Sequence, residues 1–326
     1  MMDDNKMNEN IQKSAALENL EYLENFLKEN SVSQISESSK AIMGQIMQNV
    51  QKIKNTDEEF LITRFLGVVN TLKNILNKDE SLEKYGKIFF LSFGDKRLVK
   101  SLERIRKQAE EMNVFSEIYC WTQDDIDRDF WERWKHKIPF DGFDYKSTGY
   151  FIWKPQIIMQ VLEKMKEGDT LLYCDCGNHL HKYGRKRLFY YLDILNENET
   201  GILCFQQLEL PERQWTKGDV FDYFDCRDKP EIYNAGQMCG GVIFFRKCGK
   251  CMEFVKKWRQ VFLENFELHD AETFNSPNFD DFIANRGEQS TLSILAKINN
   301  AAVIPHGEIF AFPITAARDK EYTLQQ

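Results

Sequence analysis

Gly149-Tyr-Phe-Ile-Trp-Lys-Pro155, followed by an apolar run and then by Gly168-Asp-Thr-Leu-Leu-Tyr-Cys-Asp-Cys-Gly-Asn178, decides how this chain is read. The spacing predicts a helix over Pro155–Glu167. Pro155 stands in its first turn, Ile157, Ile158, Val161, Leu162 and Met165 face inward, and Gly168 lies just past its end. Thr170–Cys174 reads as a buried strand. Lys154 therefore falls at a helix start and Asp175 at the end of the next strand. A helix start attracts anions through its free N–H groups and dipole, and an ammonium group adds to this. A carboxylate at a strand end can hold a divalent cation. A diphosphate can lie between two such groups. The alternatives are a solvated Lys154 and an Asp175 that only makes turn hydrogen bonds.

Outward from this stretch the chain alternates strands and helices. Lys87–Phe93, Glu117–Trp121, Ile202–Phe205 and Val242–Phe245 read as further strands. Arg97–Met112, Cys251–Phe266 and Glu288–Ile298 read as helices, the first with Leu98, Leu102, Ile105 and Ala109 on one face. Alternation of this kind implies an α/β fold with a mainly parallel sheet flanked by helices. Ligands in such sheets bind beyond the carboxyl ends of the strands, which singles out Ser92–Asp95, Asp175–Asn178 and the loop near Gln206.

Residues 1–80 follow a different pattern, apolar stripes at helical spacing and nothing else. Leu17, Leu20, Leu23 and Leu27 form one stripe, and Leu61, Ile62, Phe65, Val68, Leu72, Ile75 and Leu76 another. The expected organisation is an all-helical region over 1–80, a linker at Asn77–Gly86 and an α/β domain over 86–326. The helices pack on one another or on the main domain, or they bind a partner or a second copy.

The 326 residues, 42% hydrophobic and with 25 Phe, describe a packed globule with ample core. A net charge of −8 argues against general nucleic-acid binding. The opening Met-Met-Asp-Asp-Asn-Lys has no signal-peptide pattern, and no apolar run has the length of a membrane span. The expectation is a soluble, cytoplasmic protein whose eight Cys are reduced thiols.

Other motifs carry readings of their own. Gly94 lets backbone approach a nucleotide, and Asp95 can meet ribose or base. Tyr150, Phe151 and Trp153 are core, or one of them stacks on a ring. Gly240-Gly241 before a strand suits close approach of a substrate. Glu288, at a helix start, is expected to be ionised and to accept a proton from, or position, an acceptor hydroxyl. His306, Arg318 and Lys320 can close over a diphosphate. His179 and His181 are read as solvated loop histidines before a metal pair. Lys182, Arg185, Lys186 and Arg187 are a wet helix face or a phosphate receptor. Cys248-Gly-Lys-Cys251 is read as two thiols at a turn, since a second ligand pair is missing.

Taken in order, these pieces resemble a bacterial and viral type of glycosyltransferase with the GT-A nucleotide-diphospho-sugar fold. The resemblance runs from about Lys87 to Lys320. It is carried by Phe93-Gly94-Asp95, Ser101–Ala109 with Phe115, Gly149–Pro155, Gly168–Gly177, Gly240-Gly241, Gly287–Ser293 and Phe312–Lys320. It implies hexosyl-type transfer from a nucleotide-diphosphate donor, a UDP-sugar by default, to a glycan or other acceptor hydroxyl. It implies donor contacts from Phe93, Gly94, Asp95, Trp153, Lys154, Asp175, Gly177 and Arg318. It also implies acceptor contacts from Gly240 and Gly241, and catalytic or acceptor-side roles for Glu288 and Gln289. The expectation is either Mn2+ or Mg2+ held at Asp175, or Lys154 and the basic cluster offsetting the leaving-group charge without a metal. The usual Asp-x-Asp motif reads Asp175-Cys176-Gly177 here, so its second carboxylate is absent. An inactive nucleotide-sugar or glycan-binding protein, with the first helices as a scaffold, is the alternative.

Overall fold

The computed structural model describes residues 82–142, 144–310 and 313–320. The expected N-terminal helices lie outside the described residues. Six strands form the central sheet: β1 (Ile88–Phe93), β2 (Glu117–Trp121), β3 (Thr170–Cys174), β5 (Ile202–Pro211), β6 (Gly236–Arg246) and β7 (Ala302–Pro305), in the order β2-β1-β3-β6-β5-β7. All neighbours run parallel except β6, which is antiparallel to both β3 and β5. A second, two-stranded ribbon pairs β4 (His179–Leu180) with β8 (Ile314–Thr315).

The inner strands β1 and β3 are buried on both faces because helices cover both. Phe89, Leu91 and Phe93 of β1 point into one core with Leu171, Tyr173, Ile243 and Phe245. That core is closed by α3 (Trp153–Lys164), α5 (Gly249–Glu264) and α6 (Glu288–Ile298). Ile88 and Phe90 point the other way, with Leu172, Leu203 and Phe244, against α1 (Val99–Met112) and α4 (Arg185–Glu197). A further helix, α2 (Arg128–Trp134), packs Phe130 into the first core. The expected mainly parallel sheet flanked by helices is the observed one.

Boundaries moved where local chemistry overrode periodicity. Helix α3 opens at Trp153, two residues before Pro155. Tyr85, assigned to the linker by its sequence, is buried, stacks on Phe189 and donates to Asp193 Oδ1 at 2.9 Å. Gly240-Gly241 lies inside β6 and not before it. Because β6 is antiparallel, its early residues reach the carboxyl ends of β3 and β5. Cys174 pairs with Val242, and Asp175 N–H donates to Gly241 O at 2.9 Å.

No helix among the described residues is long and apolar enough to cross a membrane.

Candidate functional site

The carboxyl ends of β3, β5 and β7 open on a cleft of about 560 Å³. Lys154, Asp175, Gly240, Gly241, Arg286, Glu288, Gln289, His306, Arg318 and Lys320 contribute to its wall. A smaller cavity of about 70 Å³ adjoins it and shares Phe151, Asp175 and Lys320. Its own lining includes Phe93, Gly94, Asp95, Trp153 and Gly177. The two cavities thus bring together the expected donor, acceptor and catalytic residues.

Their detailed environments differ from the expectations in several places. Lys154 is buried, not displayed at a helix start. Its ammonium donates to Gly240 O at 2.9 Å, forms an ion pair with Glu288, and lies 3.6 Å from Asp175 Oδ1. Burial presses its pKa down, but Asp175 and Glu288 outweigh this and hold the proton more firmly than usual. Glu288 is buried too. Burial pushes its pKa above the usual carboxylate range against the pull of Lys154. It is therefore not the freely ionised first-turn carboxylate that its position suggested.

Asp175 remains available. Its side chain is 44% exposed. Tyr173, two residues earlier and so on the same strand face, donates its hydroxyl to Asp175 Oδ1 at 2.6 Å. The ring of Tyr173 also lies 5.2 Å from the Lys154 ammonium. The sequence reading missed Tyr173, although the period of two pointed to it.

The floor of the cleft needs glycine. A Cβ on Gly241 would lie 2.9 Å from Asp175 Oδ2, and one on Gly240 would lie 2.9 Å from Glu288 Oε1. Gln289 Oε1 accepts from Gly240 N–H at 3.1 Å, while its amide donates to Gln207 Oε1 at 3.1 Å and Gln237 Oε1 at 2.8 Å. Gln289 thus ties α6 to the floor through two glutamines that sequence reading did not single out.

Strain sits at the entrance of α3. Gly149, Tyr150 and Phe151 have φ of 63°, 50° and 62°. The left-handed region costs a non-glycine residue about 1–2 kcal/mol. The result is a Phe151 ring on the wall shared by both cavities, 5.3 Å from the Lys154 ammonium.

At the smaller cavity, Phe93 and Trp153 are buried and pack ring on ring at 4.0 Å, and Trp153 Nε1 donates to Thr148 O at 3.2 Å. Asp95 is buried and already held by Arg97, at 2.8 Å and 2.9 Å, besides capping its own turn. Gly177 packs under the last described segment, where a Cβ would lie 3.2 Å from Lys320 Cγ and 3.4 Å from the Arg318 backbone.

His306 stands apart from Arg318 and Lys320, with which the sequence had grouped it. It follows the edge strand β7, its Nδ1 3.6 Å from Glu209 Oε1. Burial lowers its pKa, but Cys239 and Glu209 raise it further, to about 9. Cys239 is depressed in turn, the neighbouring His306 outweighing burial.

Three other motifs resolve structurally. His179 stands in β4 and not in a loop, between Gln108 and Asp319, while His181 just follows the strand, 2.8 Å from Thr315 Oγ1. Arg187 is buried in a two-pronged pair with Glu308 at 2.9 Å and 2.5 Å, so it is neither a wet face nor a phosphate receptor. Cys248 caps α5, its Sγ accepting from Cys251 N–H at 3.4 Å, which accounts for the Cys-x-x-Cys spacing.

The donor set at Asp175 does not suit a protein-held divalent ion. Among the described residues no group of three or more His, Cys, Asp and Glu side chains is placed to hold one. Asp175 offers a single carboxylate, and the ammonium 3.6 Å away repels a second cation.

No protein-family model and no curated protein matches the chain. Solved structures similar to it include a glycosyltransferase involved in glycosylation of the major capsid of PBCV-1, at 14% identity and TM-score 0.31, over 55% of this chain and 68% of that one. Mouse xyloside xylosyltransferase 1 is similar at 10% identity and TM-score 0.38, over 74% and 79%. Glycosyltransferase GlyE of Streptococcus pneumoniae TIGR4 is similar at 15% identity and TM-score 0.30, over 67% and 45%. Likeness at this level carries no argument about activity, which has to come from the cleft.

Proposed function

We propose that the protein transfers a glycosyl group from a nucleoside-diphosphate sugar, by default a UDP-sugar, to an acceptor hydroxyl. One observation carries this reading. A half-exposed carboxylate, Asp175, stands over a floor without side chains, in a cleft that Arg318 and Lys320 also line without an ion pair among the described residues. The nucleoside would enter the smaller cavity at Phe93–Asp95. The diphosphate would lie at Asp175 and Gly177, with Arg318 and Lys320 offsetting the charge that develops as it leaves. The sugar would rest on Gly240 and Gly241. Glu288, its pKa raised by burial, is suited to exchange a proton with the acceptor hydroxyl, and Gln289 fixes its helix to the floor. If a divalent ion takes part, Asp175 would supply one ligand and the diphosphate and water the rest.

The test is incubation with a panel of nucleotide-sugars, following sugar transfer and donor hydrolysis. Asp175→Asn should lower turnover at least ~100-fold, about 2.7 kcal/mol of barrier. Its melting temperature should stay near that of the parent, because the side chain is half-exposed. Full activity of this variant would remove the role assigned to Asp175.

A second reading, binding without turnover, is favoured by the absent second carboxylate and by the engagement of Lys154 with Glu288. Donor binding with neither transfer nor hydrolysis, over a broad acceptor panel, would select it.

A further inference from the structure

Besides Lys154, four cationic side chains line the cleft: Arg286, His306, Arg318 and Lys320. They fall into two groups. Lys320 and the Arg318 backbone pack over Gly177, and Lys320 reaches the smaller cavity, on the β1 side of the sheet. Arg286 and His306 stand at the opposite side. Arg286 lies 5.6 Å from the Trp215 ring, just before α6, and His306 follows β7, which is separated from β3 by both β6 and β5.

The charges in the second group do not balance. Glu209 faces His306 at 3.6 Å and matches it. No carboxylate stands within ion-pair reach of Arg286 among the described residues, and its Nη1 is buried without an acceptor. Glu209 and Glu288 feel the charge of Arg286 but neither contacts it, so its buried Nη1 stays without an acceptor, at a cost that an anionic ligand in the cleft relieves. The planar guanidinium fork favours an oxyanion with two adjacent oxygens. On the proposed function the diphosphate lies elsewhere, beside Asp175 and Gly177.

We propose that the β5–β7 end of the cleft is a subsite for an anionic group on the acceptor, a carboxylate or a phosphate monoester, gripped by Arg286 with His306 as second donor. His306 suits this role because it keeps its proton up to about pH 9. Glu209 and Cys239, the titratable groups against it, hold the imidazolium in place. That the bound molecule is an acceptor rests on the reading as a glycosyltransferase; the subsite itself does not.

The experiment uses the full chain and three probes: glucose, glucuronate and glucose 6-phosphate. Binding is measured by calorimetry with UDP at saturation, so that the cations near Gly177 are occupied. Glucuronate, glucose 6-phosphate or both should bind at least tenfold more tightly than glucose, and the arm that binds identifies the anion. Arg286→Gln should erase that preference, Arg286→Lys should keep part of it, and His306→Gln should weaken it. Glucose binding as well as either anion would overturn the proposal. So would anion binding that UDP abolishes, or anion preference that survives Arg286→Gln. If Arg286→Gln does not fold, Arg286→Lys and His306→Gln decide the matter. If UDP does not bind at all, the glycosyltransferase reading fails. Sugar-phosphate binding to the nucleotide-free protein that is lost in Arg286→Gln but retained in Arg318→Gln would then still support the subsite.

Discussion

Lys154 is the residue on which the cleft's electrostatics turn. It lies against Glu288, Asp175 and the Gly240 carbonyl at once. Removing its charge and removing that of Glu288 therefore have unequal effects. Lys154→Met leaves Glu288 buried without its partner, a change that costs about 3–5 kcal/mol. Glu288→Gln leaves the ammonium with Asp175 and the Gly240 carbonyl, and should cost no more than about 1–2 kcal/mol. Urea unfolding of the two variants measures the difference. Equal losses would show that Lys154 is not shared in this way. Much of this site was legible residue by residue, since Lys154 and Asp175 follow from a helix start and a strand end. Their partnership was not, because the ion pair joins residues distant in the chain, and burial then reverses the expectation for an exposed first-turn Glu288.

At the scale of elements, β6 sets the geometry of the cleft. Strands β1 and β3 were readable from runs such as Ile88–Phe93, buried throughout. Helix α6 was read with its observed bounds, Glu288–Ile298. The direction of β6 was not readable, because an apolar run has no polarity, and pairing is decided by tertiary contacts. Nor was edge strand β7, where Ala302 and Val303 are left partly or fully exposed. The antiparallel course of β6 brings Gly241 under Asp175, a placement with a measurable consequence. In Gly241→Ala the new methyl meets Asp175 Oδ2 at 2.9 Å, so the carboxylate must swing away. Stability should fall by about 1–3 kcal/mol, as for other overpacked sites. Turnover should fall by more than that loss explains, because the displaced group is Asp175. Steady-state kinetics beside urea unfolding checks this. Normal turnover in a destabilised Gly241→Ala would mean that the floor does not position the carboxylate.

At the scale of the whole molecule, neutral histidines with lowered pKa make stability sensitive to acid. His269 lies between α5 and α6, its ring edge-on to Phe262 and its Nε2 3.2 Å from Thr291 Oγ1. Burial, helped by Lys217, drives its pKa down to about 3. His181 is lowered by burial, and then by His179, to about 4. Above pH 6.5 both rings are neutral in the folded and the unfolded chain, and their contribution is fully present. As the pH falls below 6.5, the unfolded chain takes up protons that the folded protein still refuses. Stability is then lost at up to roughly 1.4 kcal/mol per pH unit for each ring, until the folded pKa is passed. Glu288 has the opposite sign: its raised pKa makes its contribution greatest at low pH and smaller as pH rises. In the window from pH 6.5 to 4.5 two histidines oppose one Glu288, and a variant that keeps Glu288 isolates the histidine share within it. Urea midpoints measured across it should fall steadily for the parent protein. His269→Gln keeps a donor for Thr291 but cannot titrate, so its midpoints should fall less steeply, by the share that His269 contributes. Parallel slopes for the two proteins would show that His269 takes up its proton in the folded state as readily as in the unfolded chain.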